Sequence, residues 1–202
     1  MALRLNGATS GYVEIDEPAT AGSNTLTLPD GNGSSGQYLQ TDGAGALSWQ
    51  TVGAISVARI TDSKAQGTDG GAFTNGAWRT RDLNSIEEDP DSIVTLSSNQ
   101  FTLGAGTYLI QWSAPSFKVE FNQSRLYNIT GSNVSALGTS EYSANTNDVQ
   151  TRSFGFDIVT LTASNAFEIQ HQCHTSVPTN GLGVRGNHAA EKYTMVTIFK
   201  LS

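Results

Sequence analysis

The sequence is poor in the residues that most enzymatic and metal chemistry needs. It holds one cysteine, Cys173, three histidines, and only 14% charged residues in 202. A single cysteine excludes an intrachain disulfide. Eleven Lys and Arg against eighteen Asp and Glu leave a net charge of −7. Only Arg79 and Arg81 lie close together among the basic residues, so the clustered cations that grip a phosphate backbone are missing and no nucleic-acid partner is expected. No apolar run approaches membrane-spanning length, and the opening MALRLNGATSGYV lacks the apolar core of a signal peptide. The expectation is a chain made in the cytoplasm, not exported by a signal peptide and not inserted in a membrane. The N-x-S/T matches at Asn32, Asn122, Asn128 and Asn133 are then chance in an Asn/Ser/Thr-rich sequence.

Helical signals are also scarce. Leu, Lys and Glu are few for a helical protein, and no 3.6-residue apolar period persists for three turns. What is abundant is glycine, at 21 residues, with Ser, Thr and Asn. That balance favours short strands joined by many turns. Two textures follow one another. Residues 1–52 are small β-like pieces broken by glycine, such as SGYVEID and NTLTLPDGNGSSGQYLQTDGAGALSW. Each is too small to form its own core, so this segment should gain stability from copies of itself or from a partner. Over residues 53–202 the strand signals lengthen and alternate. They place strands near 54–62, 72–84, 92–103, 107–114, 119–129, 134–142, 150–162, 166–175 and 192–201. The expected fold is all-β, an antiparallel sandwich or jelly roll.

The last strand, KYTMVTIFKLS, is apolar on both faces: Tyr193, Met195, Phe199 and Leu201 on one, Val196 and Ile198 on the other. AISVARI at 54–60 is similarly mixed. A sheet with one wet face alternates cleanly. Either this is a central strand covered on both sides by its own chain, or one face meets a neighbouring subunit. The second reading makes Tyr193, Met195, Val196, Ile198 and Phe199 candidate subunit-interface residues.

Chemical motifs are weak. EIQHQCHTSV gathers His171, Cys173 and His174, the donors a soft transition metal prefers. Strand alternation, however, sets Phe167, Ile169, His171 and Cys173 on one face and Glu168, Gln170, Gln172 and His174 on the other. One chain then cannot aim all three at one ion, and neither C-x₂-C nor H-x₃-H spacing is present. The stretch reads as a half-buried strand with a small buried thiol, or as a site shared around a symmetry axis. EEDPD (Glu87, Glu88, Asp89, Asp91) lacks the spacing of a calcium loop. DGNGSSG at 30–36 has no lysine and no following helix, so it reads as a turn. No G-x-S-x-G elbow or H-E-x-x-H helix occurs. No catalytic residue, metal or cofactor is assigned, and an enzyme is not expected. In GGAFTNGAWRTRDLN at 70–84, Trp78, Thr80 and Asp82 alternate with Arg79 and Arg81. Such a strand either binds sugar or anion, or bridges neighbouring strands or subunits.

QGTDGGAFTNGAWRTRDLN, FTLGAGTYLIQWSAP, SRLYNIT, GTSEYS, TRSFGF and YTMVTIFK occur in this order over about residues 54–202. The run resembles a domain common at the ends of tailed-phage fibre proteins. It is similar to the complement/tumour-necrosis-factor-like jelly roll, a compact trimeric knob. NTLTLPDGNGSSGQYLQTDGAGALSW at 24–49 resembles the stalk or virion-attachment element preceding such domains. The resemblance implies a homotrimer, joined to other virion proteins through residues 1–52, with both ends of the knob domain at its base. By strand parity from that base, loops 115–118, 143–149 and 176–191 are apical. Long irregular loops carry function more often than the scaffold does. Asn180, Arg185, Asn187 and His188, with Tyr142, Asn145, Asn147 and Asp148, are therefore candidate receptor-binding residues, unless these loops are merely solvent-facing caps. The implied function is a virion fibre that recognises a host-surface glycan or protein. The alternatives are a capsid-decorating, cement or fibre-joining trimer without receptor binding and, third, a free secreted lectin, which the missing signal peptide disfavours.

Overall fold

The computed structural model describes every residue except 1, 2, 7, 8, 16, 17, 19, 21, 24, 52 and 54. The expected boundary at residue 52 and the strand start at 54 fall on residues outside that set. The chain divides into two compact units, Met1–Ala54 and Ile55–Ser202.

The first unit is two small hairpins. Strands β1 (Leu3–Asn6) and β2 (Tyr12–Ile15) pair antiparallel, as do β3 (Gln37–Thr41) and β4 (Leu47–Thr51). The β3–β4 turn is held by the Asp42 carboxylate, which accepts the Ala44 and Ala46 N–H groups at 2.8 and 3.0 Å. Those bonds hold its carboxyl below the usual carboxylate range. The glycine-rich stretch before β3 is a seat for Trp49. A Cβ at Gly33 would lie 2.6 Å from the indole ring. The indole Nε1–H donates to Gly31 O at 3.0 Å. Leu26, Leu28, Tyr38 and Leu39 all remain exposed.

The second unit is an antiparallel jelly roll of eleven strands: β5 (Ser56–Lys64), β6 (Arg79–Thr80), β7 (Ser85–Glu88), β8 (Val94–Ser97), β9 (Gln100–Leu103), β10 (Gly106–Phe117), β11 (Glu120–Asn128), β12 (Asn133–Ser143), β13 (Gln150–Leu161), β14 (Asn165–Cys173) and β15 (Glu191–Lys200). One sheet has the order β13-β10-β15-β5-β7. The other has β12-β11-β14-β9-β8, with β6 also paired to β14. Period-two alternation turns one set of side chains from each sheet into a shared core. Ala58, Ile60, Tyr108, Ile110, Trp112, Val196 and Ile198 from the first meet Phe101, Leu103, Leu126, Phe167 and Ile169 from the second. Trp112 satisfies its indole N–H on Ser124 Oγ at 2.8 Å.

Two expected strands differ. Residues 72–84 hold only the two-residue β6 and an isolated bridge from Phe73 to Val177. Gly71 and Gly76 adopt positive φ, and Arg81 turns inward, so alternation fails. Residues 92–103 are a hairpin, because Ser98 and Asn99 both take positive φ in a two-residue turn.

Strand pairing fixes which loops share an end. Lys200 pairs with Ser56, which sets the outer ends of β15 and β5 together at one end of the sandwich. At the opposite end Phe117 pairs with Gln150, Glu120 with Ser143, and Glu191 with Lys64. Loops 65–78, 118–119, 144–149 and 174–190 therefore gather there.

Candidate binding surfaces

The gathered loops are stitched to one another by buried polar groups. Arg81 is fully buried; its guanidinium donates to Thr194 Oγ1 (2.9 Å), Pro115 O (3.1 Å) and Leu182 O (2.8 Å). Burial pulls its pKa down to about 10, which still leaves it charged at neutral pH. Tyr193 is buried against Gly183, donates its hydroxyl to Thr68 O at 2.6 Å, and has its phenol pushed up to about 12 by burial. The Glu191 carboxylate accepts N–H groups from Gly67, Gly186 and Asn187, at 3.1, 2.9 and 2.8 Å. The Gly186 N–H does most to hold the Glu191 carboxyl below its ordinary range.

The candidate recognition residues fall into three places. Arg185 is exposed, but its N–H and Nη1 both donate to the Asp69 carboxylate at 2.9 Å. Asn187 is exposed at φ 60°, and its carbonyl accepts from Gln66 Nε2; His188 is exposed beside it. Asn180 is half-buried, with its carbonyl taken by Gly183 N–H. Asn145, Asn147 and Asp148 are exposed on a second loop, where Asp148 pairs with Lys118 Nζ at 2.6 Å. Tyr142 belongs to neither group. Its ring lies 5.0 Å from that of Phe121 on the outside of the six-stranded sheet, at the strand end that leads into the 144–149 loop.

The interface candidates on β15 divide by face. Val196 and Ile198 are fully buried in the core, and Tyr193 is buried among the loops. All three point into their own chain, which corrects the expectation that they meet a neighbouring subunit. Val196 and Ile198 occupy the core-facing parity of β15, and the register shift between Lys192 and Met195 turns Tyr193 inward although it shares sequence parity with Met195. The Arg152 guanidinium covers this irregular stretch, donating to Ser113 Oγ, Tyr193 O and Lys192 O. Met195 and Phe199 do face outward, half-buried.

Around those two lies an apolar surface that sequence reasoning did not assemble. Register across β13, β10, β15 and β5 aligns Ile158, Leu109, Phe199 and Val57 in one row. The next row is Phe156, Gln111, Thr197 and Arg59, and the third is Phe154, Ser113, Met195 and Thr61. Phe154, Phe156 and Ile158 are 55%, 69% and 61% exposed. A cleft of about 710 Å³ opens beside them, walled by Leu137, Phe154 and Phe156 and floored by Trp112 beneath Gly155. The alternation in TRSFGFDIV carried this signal, because the phenylalanines share parity with the outward positions. The outer face of the six-stranded sheet instead carries Gln123, Arg125, Gln170, Gln172 and Ser140.

His171 and Cys173 lie on the inner side of β14, as alternation requires. His171 is fully buried, its Nε2 3.0 Å from Asn122 Oδ1 and its ring 4.9 Å from that of Phe73. Burial, reinforced by the Arg81 charge, holds its pKa well below the ordinary histidine value. Burial pushes the Cys173 thiol up to about 11. His174 is on the other face, exposed beside Phe121. The acidic run is spent on structure: Asp89 caps the Ile93 and Val94 N–H groups, Glu87 pairs with Lys192, and Glu88 with Arg59. Among the described residues no three His, Cys, Asp or Glu are placed to hold a metal ion.

No family model and no curated protein matches the chain. Similar solved structures include the globular domain of zebrafish complement 1qA protein, 14% identical, covering 74% of this chain and 98% of that one with a TM-score of 0.43. Murine APRIL is 8% identical, covering 73% and 100%, with a TM-score of 0.48. Eiger TNF from S. frugiperda is 13% identical, covering 73% and 93%, with a TM-score of 0.45.

Proposed function

We propose that the chain is a phage virion fibre protein: a homotrimeric jelly-roll knob that displays its loop end to a host-surface glycan or protein. Residues 1–52 join it to other virion proteins. The observation that carries this reading is the outward apolar face of the five-stranded sheet. Phe154, Phe156 and Ile158 stand exposed in a row, backed by Leu109, Phe199 and Met195. A contiguous exposed patch of this kind marks an interaction surface, and its position on the sheet leaves the loop end free. The fibre role and the threefold count come from the ordered motif resemblance and the glycine-broken N-terminal hairpins. The function is binding rather than catalysis. The single thiol is buried with a raised pKa, and His171 is sealed in the core, so neither acts as nucleophile, base or ligand.

A second reading is a capsid-decorating or cement trimer. It is favoured by how many loop-end groups are consumed internally, Arg185 on Asp69 and Asp148 on Lys118 among them. Virions lacking the protein separate the two. Loss of adsorption, reproduced by Asn187→Ala and His188→Ala, supports attachment. Normal adsorption with rupture on heating favours cement.

A further inference from the structure

The outer face of the six-stranded sheet carries a second surface that the loop-end reading does not use. A shallow groove of about 370 Å³ runs over β12, β11 and β14, with Trp78 at one side. Phe121 is 67% exposed in it, an aromatic among polar neighbours. His174 stands edge-on to Phe121, with ring centres 6.1 Å apart at 87°. Tyr142 also packs against Phe121, with ring centres 5.0 Å apart. Trp78 is fixed from behind: the Arg125 guanidinium lies 4.1 Å from its ring centre and is itself stacked towards Tyr127. Arg125 is in turn tied to Gln170 Oε1 at 2.7 Å. The aromatic walls are therefore held in place before any ligand arrives.

Between these walls are hydrogen-bonding groups with unused capacity. Among the described residues the Gln172 amide and the Ser140 hydroxyl have no hydrogen-bond partner. Gln123 uses only its Nε2, on Gly138 O, leaving its carbonyl oxygen free to accept. Glu141 takes one bond, from Thr139, on Oε1, leaving Oε2 free. Planar amides and a carboxylate beside exposed rings match a pyranose, whose C–H face stacks on an aromatic while its hydroxyls donate and accept at the rim. An apolar peptide would leave Gln172, Ser140 and Glu141 desolvated without partners. The lining has one carboxylate and neither Lys nor Arg, so an anionic sugar or phosphate is disfavoured.

We infer that the Trp78–Phe121–Gln172 groove on the outer sheet face is a binding site for a neutral saccharide. The groove is complete within one chain, so it depends neither on the trimer nor on the virion placement. It also differs in position from the Arg185–His188 loop.

The full-length chain is applied to a printed array holding neutral oligosaccharides (chitotriose, maltotriose, cellotriose, lactose) beside sialylated, sulfated and phosphorylated glycans. Affinity for any neutral hit is then measured by titration calorimetry. The expected result is binding to at least one neutral glycan. It should weaken at least tenfold in both Gln172→Ala and Phe121→Ser, exposed or rim positions whose replacement leaves the core intact, and be unchanged in Thr95→Ala, exposed on the edge strand at the far side of the same sheet. Binding only to acidic glycans, binding to none, or neutral binding that survives both groove variants would each overturn the proposal. Loss on His188→Ala alone would move recognition to the loop end and equally defeat it.

Discussion

Lowering the pH from 7.5 to 5.0 will destabilise the fold through His171, and the size of the effect follows from its burial. The ring is fully buried, with Nε2 on Asn122 Oδ1. Asn122 Nδ2 already donates to Glu120 O, so Oδ1 is the acceptor and Nε2 carries the proton. Nδ1 is left buried with no hydrogen-bond partner among the described residues. Protonating it places a cation in the core beside the Arg81 guanidinium, and the folded-state pKa is depressed for that reason. A base with a depressed folded pKa binds its proton in the unfolded chain first. Stability from this residue is therefore intact above about pH 6.5 and falls as pH drops below it. Each pH unit below that point costs on the order of 1 kcal/mol for as long as the buried ring stays neutral. Urea unfolding at fixed protein concentration, followed by tryptophan fluorescence at pH 7.5, 6.5, 5.5 and 5.0, reads this directly. The His171→Gln variant is the control, since subtraction removes every other titrating group. Wild type should lose more stability than the variant over this range, by on the order of 1 kcal/mol. Equal losses in the two proteins would refute the burial argument.

Two further substitutions test the packing. Gly155→Ala places a Cβ inside the Trp112 ring and should cost about 1–3 kcal/mol, read as a fall in Tm. Arg81→Leu strips the donors from Pro115 O and Leu182 O. It should cost about 2–4 kcal/mol and raise protease cleavage within 174–190 ahead of the strands, whereas uniform cleavage would contradict its role as the loop clamp.

Legibility in the sequence followed how local each cause is. The all-β architecture and the inward set Phe167, Ile169, His171 and Cys173 were readable because alternation along one strand suffices. The 72–84 strand was misread because Arg81 is drawn inward by acceptors on β10, β15 and the 174–190 loop, none of which is visible nearby in the chain. Parity along β15 failed at one irregularity between Lys192 and Met195, which turned Tyr193 inward, while Val196 and Ile198 kept the parity of the core face. The saccharide groove was hidden for a different reason. Trp78, Phe121 and His174 lie on three separate segments, and only the pairing of β11 with β14 brings the last two together.

The apolar outer face of the five-stranded sheet is the surface on which trimer formation depends, and sedimentation equilibrium of the whole chain tests it. Wild type should sediment as three chains. Phe156→Glu, exposed in the isolated chain and so harmless to its core, should sediment as one while keeping the circular dichroism of the folded sandwich. A wild-type protein that is monomeric at tens of micromolar, or a Phe156→Glu variant that remains trimeric, would contradict it.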